Sequence, residues 1–404
     1  MHRSPSRLRR GLAAATAASL LTSIAACTNS TADTDTVRIG LLVSLSGTYT
    51  AVGEDMKRGF RLYLDTHGGK LGDHKVDLVV ADEGDGPATA VPAAQKLLER
   101  DRVVALTGLV GGATVDKVQT LTTERKVPLL GANARPAFAA VAGKPRDLSY
   151  TWHTSYNSDE PGIAIAAYIK QQVGDGTVYA IGPDYQGGWD ELRGFTDTFT
   201  KLGGKLANPD GKALFTPFPG TENFLPYLNK AAESKPKAVY TFYAGAAAVA
   251  FVKQYRQSDL KDVPLYAAGF LTEGSVLSAQ GPAATGIRNV LNYSPTLGNA
   301  ANQKFVAAWS AAGHPGQPAT FAMASYDAAA VLDRALSAVD GEVTGEKLNA
   351  AIGKVGRVVS PRGDWQFHPS EHRPVQRWYL REVKPDGPVL SNVLVQDLTT
   401  LPAS

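Results

Sequence analysis

The chain has 404 residues, of which 44% are hydrophobic and 20% charged, with a formal net charge of +3. This is the make-up of an ordinary water-soluble globule, and it lacks the concentrated basic face that a nucleic-acid partner would need. Four of the positive charges, Arg3, Arg7, Arg9 and Arg10, sit in the first ten residues, so the chain without them is near −1 and has no electrostatic grip on a membrane.

Those arginines precede an apolar run from Gly11 to Thr22 and then Ile24, Ala25, Ala26 and Cys27, the only cysteine of the chain. A basic flank, a short apolar stretch and small residues before a cleavage point form an export signal, expected over residues 1–26. The run is too short for a permanent transmembrane helix. Cys27 in this setting resembles a bacterial lipobox, which makes it the expected lipidation site and mature N-terminus. A plain secretory signal with an incidental cysteine is the other reading. With one cysteine, no intrachain disulfide can form, so stability must come from core burial.

Residues 27–36 are small and polar and are expected to form a flexible tether. From Val37 the pattern alternates short apolar runs with longer amphipathic ones. Strands are expected at Val37–Leu45, Lys75–Ala81, Arg102–Thr107 and Val127–Leu130, with helices at Val52–His67, Pro87–Arg100 and Gly112–Arg125. Strands that are apolar throughout and separated by helices signify a parallel sheet covered on both faces. A second series follows Tyr150–Thr154, with strands at Thr177–Ile181, Ala213–Thr216, Ala238–Phe242 and Pro264–Ala267. Its helices are expected at Pro161–Val173, Trp189–Leu202, Glu222–Glu233 and Ala246–Gln257. After Leu291 come three helices, Asn302–Ala312, Thr320–Val339 and Gly345–Ile352, and then a strand-rich tail through Trp365–Phe367, Gln376–Val383 and Val389–Gln396.

The expected fold is therefore α/β, with two doubly wound parallel-sheet lobes. The roughly 370 residues beyond the leader exceed what one core usually spans. Late elements are expected to return to earlier sheets, giving a hinge of several crossings, with one lobe made of residues 37–155 plus 294–360 and the other of 156–293 plus 361–404. In such sheets the crevice lies beyond the carboxyl ends of the strands, so the site belongs in the strand-to-helix loops.

Six loops supply candidates. Gly111 and Gly112 could bring backbone amides to a ligand carboxylate, or simply make a turn. Ala132, Asn133 and Ala134 follow the next strand, where Asn133 could touch ligand or cap a helix. Tyr185, Tyr243, Gly245 and Phe270 are expected to build the opposite wall, with Tyr49 in the first loop; for the aromatics, packing under the loop is the alternative. The sequence shows no metal-ligand spacing. His368 and His372 match the letters of an inverted zinc-peptidase motif, but Pro369 and Pro374 oppose its helix. Neither a metal nor a cofactor is expected.

The order and spacing of Val37–Gly47, Gly53, Asp82-Glu83, Asp184–Gly188, Thr221–Phe224 and Ser360–Phe367 resemble the leucine/isoleucine/valine-type solute-binding proteins of ABC importers, from about Val37 to Val383. The resemblance implies a type I periplasmic-binding-protein fold, a non-enzymatic exported receptor, lipid-anchored or periplasmic, capture of a small solute by lobe closure, and delivery to the membrane subunits of a permease. A monomer tied to the membrane only through its lipid is expected. This chain departs from the family where amino-acid binders hold the α-carboxylate with hydroxyls, for it offers Gly111, Gly112 and Ala113. Ala134 stands where a threonine would meet the ammonium, and Phe270 where an acid is expected, with Glu273 three residues on. Branched-chain or other amino acids and apolar or aromatic carboxylates both remain ligand classes. A sensory binding module and a secreted α/β hydrolase are the other functional classes, and the hydrolase would need a nucleophile and base that the sequence does not present.

Overall fold

The computed structural model describes residues 35–133, 147–218 and 220–402. The first sheet is built by β1 (Thr36–Val43), α1 (Thr50–Thr66), β2 (Lys70–Leu71), β3 (His74–Asp82), α2 (Pro87–Glu99), β4 (Ala105–Gly108), α3 (Gly112–Glu124), β5 (Leu129–Gly131) and β6 (Thr151–His153). Its order is β2-β3-β1-β4-β5-β6, with every pair parallel except β2 with β3.

Strand alternation explains why both faces are covered. On β1, Ile39, Leu41 and Val43 point to one face and pack with Met56 and Phe60 of α1, whereas Leu42 points to the other and packs with Leu97, Val115 and Val118 of α2 and α3. Close approach fixes α1. A Cβ on Gly53 would stand 1.9 Å from the Ser44 carbonyl oxygen, and one on Gly59 2.0 Å from that of Ala322.

The second series runs α4 (Glu160–Val173), β7 (Thr177–Pro183), α5 (Gln186–Lys201), β8 (Lys205–Leu206), β9 (Leu214–Thr216), α6 (Leu225–Glu233), β10 (Ala238–Thr241), α7 (Gly245–Tyr255), β11 (Leu265–Ala268), α8 (Ser275–Gln280) and β12 (Arg288–Leu291). The same alternation repeats. Val178, Ala180 and Tyr240 share one face with Ile165, Phe195 and Phe199 of α4 and α5, while Tyr179, Ile181 and Val239 share the other with Leu228, Phe251 and Leu277 of α6 to α8.

Three helices follow, α9 (Ala300–Ala311), α10 (Thr320–Leu336) and α11 (Gly345–Ile352), and then β13 (Gln366–Phe367), β14 (Pro374–Asp386) and β15 (Val389–Leu401). α10 packs on α1, whereas β14 pairs antiparallel with β12 and carries β15 and β13. The tail thus returns to both sheets, and its antiparallel hairpin makes the second sheet mixed rather than wholly parallel. β12 and α8 lie in a stretch where the sequence pattern gave no element. The export signal, Cys27 and Ala134 lie outside the described residues. Among the described residues, no helix is long and apolar enough to cross a membrane.

Candidate functional site

Parallel strands followed by helices deliver the helix starts to one edge of each sheet. The starts of α1 and α3 from the first sheet, and of α5, α7 and α8 from the second, surround one cavity of about 490 Å³. Of the ten residues read from the sequence, Tyr49, Gly111, Gly112, Asn133, Tyr185, Gly245 and Phe270 line it.

Two do not. Ala132 is fully buried, with its amide bonded to the Gly108 carbonyl. Tyr243 is buried against Phe224 and Phe251, its hydroxyl 3.0 Å from that of Thr216. The alternation of β10 continues past its end: Phe242 stays on the face of Tyr240 and enters the cavity, and Tyr243 turns to the α6–α7 side. Trp189 is also outside the cavity wall and donates its indole N–H to Asp184 Oδ1 at 2.8 Å.

The loops are held by acids whose role the sequence did not disclose. Asp82 accepts from the Leu45 and Gly84 amides at 2.7 and 2.8 Å and from the Ser46 hydroxyl at 2.6 Å, and Asp85 accepts from the Thr48 amide at 2.6 Å. Burial pushes the Asp82 carboxyl up, but these hydrogen bonds outweigh it and hold the group below the usual range. Glu83, buried, accepts from the Val110 and Gly111 amides at 2.6 and 2.9 Å. The Gly111 amide is therefore committed inside the protein. No side chain caps α3, so its first amides, Gly112 and Ala113, have no acceptor within the helix, and both residues line the cavity. Asn133 donates to the Val110 carbonyl at 3.2 Å and ties the two loops together.

A run of rings passes along the cavity, from Phe218 just outside its lining to Phe321 of α10. Phe218 stacks on Tyr185 at 4.4 Å, Tyr185 lies 6.4 Å from Phe242, Phe242 lies 6.4 Å from Phe270, and Phe270 lies 4.8 Å from Phe321. Phe242 and Phe321 went unread in the sequence. Phe321 comes from α10, a helix that follows no strand and so gives no loop signal.

Among the described residues, the charged side chains of the wall are Asp55, Asp190 and Glu273, with no lysine or arginine. Glu273 accepts from the Thr320 amide at 2.8 Å and from Arg381 at 2.9 Å, and Asp190 pairs with Arg193 at 2.9 Å. Among the described residues, positive potential in the cavity comes from helix N-termini.

Burial pushes the Asp55 carboxyl up to about 6, with the Arg58 guanidinium opposing and Glu273 and Glu54 reinforcing. An acid raised in the folded state destabilises the fold above its folded pKa, and the penalty fades as pH falls through 6 toward the unfolded value. Relative to Asp55→Asn, the ligand-free wild type is expected to gain about 1 kcal/mol between pH 7.5 and 5.0. Urea unfolding of both proteins at the two pH values checks this, and an unchanged difference would contradict it.

Of the two histidines of the inverted zinc-peptidase pattern, His372 serves packing. His372 stacks on Trp152 at 3.8 Å, with Nδ1 2.9 Å from the Leu148 carbonyl. Among the described residues, no group of three His, Cys, Asp or Glu is placed to hold a metal.

A sequence profile for periplasmic binding proteins matches residues 36–388. A Leu/Ile/Val-binding protein homolog 6 from Brucella melitensis is 30% identical over 359 residues, covering 88% of this chain and 89% of the relative. Among solved structures, an ABC-transporter solute-binding protein from R. palustris in complex with benzoate is similar at 32% identity and TM-score 0.77, over 90% of this chain and 98% of that one. A second R. palustris solute-binding protein, in complex with 4-hydroxybenzoate, is similar at 27% identity and TM-score 0.82, over 91% and 98%. A branched-chain amino acid transporter substrate-binding protein from Streptococcus pneumoniae, in complex with isoleucine, shares the fold at 19% identity and TM-score 0.73, over 89% and 99%.

Proposed function

From the premise that the chain belongs to the periplasmic binding protein family, as an exported solute-binding protein of an ABC transporter, we propose that its solute is an aromatic carboxylate. The run of rings from Tyr185 through Phe242 and Phe270 to Phe321, lining one cavity with the uncapped start of α3, carries this reading. Rings offer large apolar area at small entropic cost, and helix N-termini hold an anion without a side-chain cation. A cavity of about 490 Å³ falls within the usual range for small ligands. The complexes of the two R. palustris proteins with benzoate and 4-hydroxybenzoate support the same class. An amino acid is the weaker ligand, because both oxygens of Glu273 already hold Thr320 and Arg381.

Capture proceeds by lobe closure, driven by the greater affinity of the closed state for ligand. The lobes are residues 37–155 plus 294–360 and residues 156–293 plus 361–404, a division supported by α10 packing on α1 and β14 pairing with β12. Cys27 carries the lipid, and the loaded monomer delivers its solute to the permease subunits. A thermal-shift comparison of benzoate with leucine tests the ligand class. At a hundred times its Kd, benzoate is expected to stabilise the protein by about 2.7 kcal/mol and raise Tm by several degrees. A rise with leucine and none with benzoate would reverse the assignment.

A further inference from the structure

Three carboxylates among the described residues line the cavity, and they differ in what they have left to give. Glu273 has a partner on each oxygen, and Asp190 is paired with Arg193. Asp55 bonds Arg58 Nη1 through Oδ1 at 3.0 Å, while no described residue donates to its Oδ2. That oxygen reaches across the cleft, 3.6 Å from where a Cβ on Gly274 would stand. The side chain is 19% exposed, so a donor meeting Oδ2 would be largely shielded from water.

Its position relative to the free amides is set by topology. α1 packs with α10 on one face of the first sheet, and α3 packs with α2 on the other. Asp55, one turn into α1, and Gly112 and Ala113 at the start of α3 thus come from helices on opposite faces of the sheet and line the same cavity. A ligand whose carboxylate sits on the amides presents its far end to Asp55.

Resting on the aromatic-carboxylate reading, we propose that Asp55 is a specificity-determining residue that accepts a hydrogen bond from a ring hydroxyl distal to the ligand carboxylate, so that the solute class is hydroxylated aromatic acids. An ionised carboxylate in a cavity also lined by Val52, Val276 and Phe321 leaves an acceptor unsatisfied when the ligand lacks a donor, which is how a polar group in an apolar cavity discriminates. At pH 7.5 the group is above its value of about 6 and is ionised. A hydrogen bond to it corresponds to about ten- to a hundredfold in affinity.

The test is calorimetric titration at pH 7.5 of wild type, Asp55→Asn and Asp55→Leu with benzoate, 3-hydroxybenzoate, 4-hydroxybenzoate and leucine. Wild type is expected to bind one hydroxybenzoate about ten- to a hundredfold more tightly than benzoate. Asp55→Leu should abolish that preference while still binding benzoate, which also shows that the variant is folded; Asp55→Asn should reduce the preference. A wild type without preference, or a preference that survives both substitutions, overturns the role of Asp55 and leaves the aromatic reading standing. Leucine binding that Asp55→Leu abolishes would assign Asp55 to an ammonium and overturn the hydroxyl. Loss of the aromatic reading itself has a separate signature, since then none of the three benzoates binds wild type.

Discussion

Arg362→Met is expected to destabilise the protein by about 3–5 kcal/mol, because it leaves a buried carboxylate without its counter-charge. Arg362 is 2% exposed and Asp327 fully buried, with the guanidinium 2.7 Å from Asp327 Oδ2. The same guanidinium donates to Gln376 Oε1 and to the Thr154 carbonyl, each at 2.6 Å, and lies 4.7 Å over the Trp365 ring. Asp327 is also held by the Ser360 hydroxyl at 2.7 Å and the Trp365 indole at 3.0 Å. One side chain thus ties together the stretch after β6, α10, the segment before β13 and β14, where the chain passes between its two sheets. Burial pushes the Asp327 carboxyl up, so loss of water opposes the attraction within this pair. The pair is therefore worth less than the penalty for breaking it. Arg362→Met combined with Asp327→Leu should recover most of the loss, since removing both charges removes the uncompensated one. Urea unfolding of the two variants decides the matter. A single variant within about 1 kcal/mol of wild type would show that Asp327 finds other compensation.

The fold was legible wherever one residue in two faced a different core. β1, β7 and β10 are apolar on both faces, a pattern that only a strand covered by helices on both sides shows, and the helices between them follow from it. β12 was not legible. It is four residues long and carries Asn289, a polar side chain buried by bonds to Arg381 and Asn392 from the tail hairpin, partners that no local pattern announces. The tail gave away its strands but not its charges. Arg362 and Arg381 look like solvated residues in sequence, and both are buried because groups more than a hundred residues away, Thr154 and Glu273, complete their hydrogen bonds.

The site was legible as a set of loops and only partly as a set of side chains. Position at the carboxyl end of a strand put Tyr49, Gly111, Tyr185 and Gly245 on the cavity. The glycines were read as anion donors, yet the Gly111 amide serves Glu83, whose acidity had no evident use in sequence. Asp55 was passed over because it stands inside a helix, one turn beyond the loop.

Tyr243 and Tyr185 give a pair of opposite expected results, because strand parity sends Tyr243 inward to a core, whereas Tyr185, at the start of α5, lines the cavity. Tyr243→Ala should destabilise the protein by about 3–5 kcal/mol, through a cavity between Phe224 and Phe251 and an unpaired Thr216 hydroxyl. Its folded fraction should bind ligand as wild type does, since the residue is absent from the cavity wall. Tyr185 instead sits at the start of α5, half-buried, with one ring neighbour in Phe218 and another in Phe242. Tyr185→Ala should leave Tm within a few degrees of wild type and weaken an aromatic ligand by about 1.5–3 kcal/mol, roughly ten- to a hundredfold. Calorimetric titration and thermal melts of both variants separate the two effects. If Tyr243→Ala lost affinity while keeping its melting temperature, the ring beneath β10 would belong to the ligand after all, and the parity argument that puts Phe242 in the wall would fail with it.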